Sequence, residues 1–157
     1  MEIAAFPLSH DAAEPLGFTI TSGGEKLAIV TDTGIVTEEI YAAVSDAGLL
    51  VFEANHDVDM LMFGEYPYPV KVRIKGEKGH LSNDYAGDVL ASILADRKAA
   101  HVQEPLRIML AHLSFHNNAP LFARQTVENT LSAAGFHRGE AYLLDVAAKE
   151  GLTFLHA

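Results

Sequence analysis

Five histidine and carboxylate residues stand next to the ends of regular elements that the sequence predicts. Four follow apolar stretches typical of short strands and the fifth precedes a helix: His10, Asp32, Glu53 and His112, then His80. In an open α/β sheet, ligands bind outside the carboxyl ends of the strands. Imidazoles and carboxylates gathered at that edge suit zinc, manganese or iron, and they also suit acid–base chemistry.

Each of these residues taken alone has an ordinary explanation. A histidine at a strand end is usually a capping or solvated residue. Asp32 could form a turn with the following Thr33-Gly34, and Glu53 could cap the loop after it. The occurrence of all five at element ends favours a shared site over these separate explanations.

The other histidines are less informative. His112 and His116 are four residues apart, but they follow an apolar strand, so they do not form a helical zinc-binding pair. His56 is left undecided. The neighbours of the remaining three are loop-like or terminal, and we leave these three out of the candidate site: His101, His137 and His156.

An α/β domain is predicted to position these side chains. Apolar runs predict strands over 3–8, 17–21, 26–31, 49–52, 106–110 and 142–147, with Gly23-Gly24 joining the second and third as a hairpin. Helices are predicted from the N-cap Thr37 to Gly48, from Ser82 onward, and over about 120–134. Residues 60–63 could form a short helix, and Pro67 and Pro69 are expected to interrupt the helical pattern after it.

Composition narrows the class of protein. The 157 residues amount to about one domain, and 49% hydrophobic with 20% charged residues excludes a disordered chain. No apolar run approaches the ~20 residues of a membrane span, and the first residues lack the basic region of a signal peptide. The absence of cysteine excludes disulfides and thiolate metal sites. A cytoplasmic protein with no membrane partner is expected.

The net charge of −10 argues against a broad basic surface for nucleic acid. It does not exclude a substrate phosphate that is held by a bound cation, because the ion can be the largest charge in a site.

The motifs around the five residues resemble those of a known family. They are Ser9-His10-Asp11, Thr31-Asp32-Thr33-Gly34, Glu53-Ala54-Asn55-His56-Asp57, Gly79-His80-Leu81-Ser82-Asn83 and Ala111-His112-Leu113-Ser114. Over essentially the whole chain, they resemble the C-terminal part of a metallo-β-lactamase-fold hydrolase of the YycJ/WalJ-like subgroup, which is related to the ribonuclease Z and ribonuclease J phosphodiesterases. The resemblance implies half of a four-layer αββα sandwich, with helices on one side of a mixed sheet.

The resemblance also implies roles for the five residues. His10 resembles the third histidine of the first metal site, Asp32 the aspartate that bridges two metals, and His112 the last histidine, on the second metal. Glu53 and His80 resemble a glutamate–histidine pair in which the histidine helps the leaving group depart. Two divalent metal ions, zinc or manganese, are implied for each complete site.

One departure from the family is as important as the likeness. The main metal motif, His-x-His-x-Asp-His, is absent, since no two histidines are separated by one residue. We therefore expect residues 1–157 to form one domain, the C-terminal part of the fold, with three metal ligands present and four missing. The chain is then a fragment, a half-domain completed by another chain, or a non-catalytic derivative. A half-sandwich exposes an apolar sheet face, so a dimer or another partner is expected.

Three functions remain open from the sequence. The leading one is a metal-dependent phosphodiesterase or exonuclease-like nuclease when complete, with a nucleic acid or another phosphodiester as substrate. The second is a non-catalytic interaction protein that has lost the main metal motif. The third is a small-molecule ester hydrolase on the same fold. Retention of both Glu53 and His80 favours the first, because a structural domain needs neither.

Overall fold

A computed structural model describes residues 1–155 of the chain. Within this range, six strands form one sheet: β1 Glu2–Pro7, β2 Leu16–Ser22, β3 Glu25–Val30, β4 Leu49–Glu53, β5 Leu106–Ala111 and β6 Tyr142–Val146. The helices are α1 Glu38–Val44, α2 Val58–Phe63, α3 Tyr68–Lys75, α4 Asn83–Ala99 and α5 Pro120–Ala133. None of them has the length and apolar character that crossing a membrane requires.

The strands lie in the sheet in the same order as in the sequence. β1, β2 and β3 pair antiparallel, whereas β3, β4, β5 and β6 pair parallel. Two neighbouring parallel strands must be joined by a crossover connection. The three crossovers contain α1 between β3 and β4, α4 between β4 and β5, and α5 between β5 and β6. Crossover connections are almost always right-handed, and these three follow the strand order in a single direction across the sheet. The helices α1, α4 and α5 therefore lie on the same face of the sheet. The α/β fold with a mixed sheet, predicted from the sequence, is confirmed.

The hydrophobic core lies between the sheet and the helices. Alternate residues of the central strands point into it, including Leu50, Phe52, Ile108 and Leu110, which are all fully buried. The helices contribute Ile40, Val44, Leu90, Ile93, Val127 and Leu131 to the same cluster. The packing of this core fixes the parallel strands relative to one another, so their carboxyl ends lie at the same edge of the sheet.

The opposite face of the sheet, here called the open sheet face, is also apolar. One row of paired residues across it is Phe18, Ile29, Val51 and Met109, and a second is Ile3, Ile20, Leu27 and Leu49. Ile3 is 58% exposed and Phe18 is 40% exposed. No element of residues 1–155 covers this face, as a half-sandwich requires.

The predicted strand boundaries agree with the observed ones to within one residue, but two features of the helices differ. α1 ends at Val44 with Ser45 as its C-cap, whereas Gly48 was expected to end it. The Gly48 N–H instead donates to the Lys26 carbonyl at the start of the sheet. Pro67 and Pro69 do not interrupt a helix but begin α3, as N-cap and second residue. An N–H at the start of a helix has no intrahelical acceptor, so proline is tolerated there.

Gly79, which immediately precedes His80, provides a test of this local structure. A Cβ there would lie 2.1 Å from the Ile74 carbonyl oxygen and 2.3 Å from that of Arg73. We expect Gly79→Ala to lower the free energy of unfolding by more than about 2 kcal/mol, because backbone atoms must move. Gly76→Ala is the matched control, since its nearest contact would be 3.3 Å. Urea unfolding measures both, and equal losses would contradict the prediction.

Candidate metal centre

The structure brings all five candidate residues to the carboxyl edge of the sheet. Asp32 and His112 follow β3 and β5, and Glu53 is the last residue of β4. His10 lies in the loop between β1 and β2, and His80 lies just before the N-cap of α4. The imidazole ring of His80 lies between those of His10 and His112. Its centroid is 4.8 Å from that of His10 and 5.3 Å from that of His112.

Asp32 is at the centre of the group. Its Oδ1 lies 3.7 Å from His10 Nε2 and 3.6 Å from His112 Nε2. Two ligands that are each ~2.1 Å from one ion lie about 3–4 Å apart, so these separations suit a shared cation. Asp32 and His112 both have left-handed backbone, with φ of 65° and 58°. Aspartate is one of the few residues that adopt this conformation readily.

His10 is fixed by the loop that precedes His80. Its Nδ1–H donates to the Gly79 carbonyl at 2.9 Å, which leaves the Nε2 lone pair free on the side of Asp32. On either side of it, the Ser9 hydroxyl donates to the Glu77 carbonyl and the Asp11 N–H donates to the Lys78 carbonyl. Anchoring one imidazole nitrogen selects the tautomer that presents the other to a metal.

Glu53 is fully buried and joins two histidines. Its Oε1 accepts from His80 Nδ1 at 2.7 Å and from His112 Nδ1 at 2.8 Å, and its Oε2 accepts from the Thr33 N–H at 2.9 Å. Burial opposes ionisation of Glu53, but these hydrogen bonds outweigh it and hold its pKa below the usual value. The hydrogen bond to Glu53 in turn raises the pKa of His112.

The Glu53–His112 contact is a feature that sequence reasoning missed. Only the pairing of Glu53 with His80 was implied by resemblance. Because Glu53 occupies the Nδ1 atoms of both histidines, each has Nε2 left for a metal or a substrate. His80 belongs to one potential ligand group with His10 and Asp32 and to another with Glu53 and His112. Distance alone therefore does not separate a proton donor from a ligand at position 80.

His56, undecided from the sequence, lies behind this group. It is 2% exposed, and its Nδ1 has no hydrogen-bond partner among residues 1–155. Burial lowers its pKa to about 4, helped by the charge of His80 and opposed by Glu53. Lys75 and Asp57 are the other charged groups that act on it, in opposite directions. His56 is thus held neutral beside the site.

The neutral state of His56 predicts a pH dependence of stability. Its pKa is about 4 when folded, against the ordinary value of 6.5. Between these values, the unfolded chain binds a proton that the folded chain does not, so the free energy of unfolding rises with pH and then levels off. The rise amounts to about 3 kcal/mol. We expect His56→Phe to flatten it by a comparable amount in urea unfolding from about pH 4.5 to 7.5. If the free energy of unfolding of His56→Phe rose with pH as steeply as that of the unsubstituted protein, the lowered pKa of His56 would be contradicted.

The excluded histidines lie outside the group. His116 packs against Tyr66 and Phe115 and is not in either potential ligand group found among the described residues. His101 and His137 lie at the opposite edge, near the starts of β5 and β6. His156 is outside the described residues.

Comparisons with known proteins agree with this arrangement. Residues 1–101 match the β-lactamase superfamily domain. The chain is 40% identical over 142 residues to exodeoxyribonuclease YycJ of Bacillus anthracis, covering 90% of the chain and 51% of the relative. It is 34% identical over 134 residues to exodeoxyribonuclease WalJ of Streptococcus pneumoniae, covering 85% of the chain and 47% of the relative. The chain thus spans about half the length of the curated relatives it matches.

Two solved structures share the fold at low identity. The metallo-β-lactamase fold protein YhfI from Bacillus subtilis aligns with a TM-score of 0.57 at 16% identity, covering 92% of the chain and 46% of that protein. Zinc-bound PqqB from Methylobacterium extorquens aligns with a TM-score of 0.53 at 18% identity, covering 92% and 47%. These two structures show the metallo-β-lactamase fold, and the family match over residues 1–101 shows the family: the chain belongs to the β-lactamase superfamily.

Proposed function

We propose that the chain is one half of a metal-dependent phosphodiesterase that degrades DNA from its ends. The observation that carries the proposal is the convergence on Asp32, whose Oδ1 lies within 3.7 Å of the Nε2 atoms of His10 and His112. Both histidines are anchored through Nδ1, so both offer Nε2 to a cation. The YycJ and WalJ relatives are exodeoxyribonucleases, which supports DNA as the substrate.

His10, Asp32 and His112 would hold the metals, with Asp32 as the bridging carboxylate between two ions of zinc or manganese. When bound, such a pair acts as a Lewis acid and stabilises the attacking and leaving oxygens of phosphoryl transfer. The donor set fits, because imidazole nitrogen is a ligand for zinc and carboxylate oxygen suits manganese.

Glu53 and His80 would supply proton chemistry. The ionised Glu53 accepts from His80 Nδ1 at 2.7 Å, which directs the Nε2 of the ring away from the buried carboxylate. With its ring oriented by a carboxylate, His80 can act as a general acid that donates a proton to the leaving oxygen. Glu53 also holds His112, so one buried charge orients a metal ligand and the proton donor together.

Completion by a second half is part of the proposal. The chain spans about half of its curated relatives, and the open sheet face is apolar. We propose that residues 1–157 form the C-terminal part of a metallo-β-lactamase sandwich, in which the other sheet covers this face and carries His-x-His-x-Asp-His. A second copy of the chain is the alternative occupant. We also propose that the protein is cytoplasmic.

The test is to reconstitute the proposed sandwich. The chain would be co-expressed with the part of Bacillus anthracis YycJ that it does not match. We expect the chain alone to bind divalent metal weakly and to hydrolyse bis(p-nitrophenyl) phosphate poorly. The reconstituted protein should gain metal-dependent hydrolysis of this diester and of linear DNA, while closed circular DNA stays intact.

The same assay separates the other functions. Hydrolysis of p-nitrophenyl acetate without hydrolysis of either phosphodiester would indicate an ester hydrolase. A stable reconstituted protein with no turnover on any substrate would indicate a non-catalytic interaction protein. Tight stoichiometric zinc binding by the isolated monomer would contradict the proposal that the site is incomplete.

A further inference from the structure

Asn55 joins three segments of the chain at the carboxyl edge of the sheet. Its N–H donates to the Leu81 carbonyl at 2.9 Å, and its carbonyl accepts from the Ser114 N–H at 2.7 Å. Its side-chain amide donates through Nδ2 to the His112 carbonyl at 2.8 Å. Leu81 directly follows His80 in the sequence. Asn55 therefore links the end of β4 to the backbone at two histidines that come from distant parts of the chain.

The side-chain hydrogen bond begins where the pairing of the strands stops. The last paired residues of β4 and β5 are Glu53 and Ala111, and the Ala54 N–H then donates to the Ala111 carbonyl at 3.1 Å. His112 lies one residue beyond this pairing, and the Asn55 amide donates to its carbonyl. A side chain thus holds the chain at the point where the sheet no longer does.

The backbone of His112 needs this support. Its φ is 58°, in the left-handed region, which is unfavourable for a residue with a Cβ unless the surroundings impose it. A donor that fixes the direction of the His112 carbonyl restricts the backbone torsion ψ, and hence the direction of the side chain relative to the sheet. Backbone held in this way is typical of functional sites.

Asn55 and Glu53 hold His112 at opposite ends. Asn55 fixes the carbonyl, while Glu53 Oε1 accepts from Nδ1 of the ring at 2.8 Å. The remaining ring atom, Nε2, then faces Asp32 Oδ1 at 3.6 Å. Asn55 is only 8% exposed, so its amide depends on a partner within the protein. Only the NH₂ group of an asparagine amide can donate to a carbonyl, which defines the orientation of this side chain.

From these contacts, we infer that Asn55 is a positioning residue for the metal centre. Its amide holds the His112 carbonyl, the left-handed backbone places the imidazole against Glu53, and Nε2 is left directed at the metal position. Asn55 itself contacts neither metal nor substrate and acts through His112. Functional groups must be held by such supporting contacts to reach a productive geometry. The inference rests on the proposed function, since it assigns a residue that prepares one of the proposed ligands.

The first measurement needs neither metal nor turnover. NMR of isotope-labelled histidine rings in the full chain, in EDTA at alkaline pH, reports which ring nitrogen of His112 carries the proton. We expect Nδ1–H in the unsubstituted chain, because Glu53 accepts from that atom. Asn55→Leu and Asn55→Ala should give a mixture of both tautomers, since the ring is no longer held against Glu53. Leucine keeps the size of the side chain and alanine adds no bulk, so either variant decides if the other fails to fold.

The second measurement is the affinity of the reconstituted protein for zinc. Both Asn55 variants should bind zinc 10–100-fold more weakly, the usual effect of losing a residue that supports a ligand. Hydrolysis of bis(p-nitrophenyl) phosphate by the unsubstituted reconstituted protein reports separately on the proposed function. The tautomer of His112 tests the inference even where no hydrolysis is found.

Arg97→Met is the matched control, at the other end of the same two strands. Arg97 is 9% exposed and donates at 3.0 Å to the carbonyls of Ala47 and Glu104, which precede β4 and β5. Its loss should lower stability in urea unfolding and leave the His112 tautomer and the zinc affinity unchanged. The inference is overturned if the Asn55 variants keep either the Nδ1–H tautomer or the original zinc affinity. It is also overturned if Arg97→Met changes both as much as they do.

Discussion

Replacement of Asp32 by alanine or asparagine is expected to remove bound divalent metal and phosphodiester hydrolysis together. Asp32 Oδ1 lies 3.7 Å from His10 Nε2 and 3.6 Å from His112 Nε2, and among the described residues no other carboxylate lies within 4 Å of both histidines. Loss of a residue that merely supports a ligand typically lowers metal affinity or activity 10–100-fold. Loss of a bridging ligand should exceed about 100-fold in both.

Two variants are needed because Asp32 has left-handed backbone, with φ of 65°. Asparagine tolerates this conformation and removes only the charge, whereas alanine adds backbone strain. Metal analysis and steady-state kinetics of the reconstituted protein would be compared with Asp46→Ala, whose side chain is 69% exposed and pairs with Lys26 away from the site. Normal metal content in Asp32→Asn would refute the bridging role.

The position of most of the site could be predicted from the sequence for a physical reason. β3, β4 and β5 are parallel, so the residues that follow them reach one edge whatever the details of packing. Asp32, Glu53 and His112 are placed by this rule alone. His10 is placed differently, in an antiparallel connection, where the nearby loop of residues 77–79 holds it.

The contacts within the site could not be predicted in the same way. Glu53 and His112 are 59 residues apart, and His112, which makes this hydrogen bond, has left-handed backbone. Nothing in local composition signals that conformation for histidine. The burial of His56 could not be predicted from the sequence either, because it depends on where α4 begins. At the start of that helix, the Asn83 N–H donates to the His56 carbonyl at 2.9 Å. α3 was missed because its two prolines look like interruptions until the start of the helix is known.

His80→Ala is expected to lower turnover on a phosphodiester by 10²–10⁴-fold, the usual contribution of a general acid. Metal content should stay near normal, because the three proposed ligands, His10, Asp32 and His112, remain in place. His137→Ala, at the opposite edge of the sheet, should change neither quantity. A loss of metal in His80→Ala would make position 80 a ligand and would overturn the assignment of the proton donor.

Glu53→Gln should lower both turnover and metal binding, whereas His80→Ala should lower turnover alone. Glu53 is fully buried and accepts hydrogen bonds from His80, His112 and the Thr33 N–H. A glutamine amide presents one oxygen and one NH₂ group, so at least one of these donors would face another donor and remain unsatisfied. Such a buried group costs about 1–3 kcal/mol of stability. The charge that raises the pKa of His112 is lost as well.

We therefore expect Glu53→Gln to lower turnover and also to weaken metal binding through His112, by 10–100-fold. Metal titration of the reconstituted protein, with urea unfolding to measure the lost stability, separates this from a simple folding defect. If Glu53→Gln and His80→Ala had the same metal affinity as the unsubstituted protein, the Glu53–His112 hydrogen bond would have no part in holding the metal. Glu53 would then act on the proton donor alone.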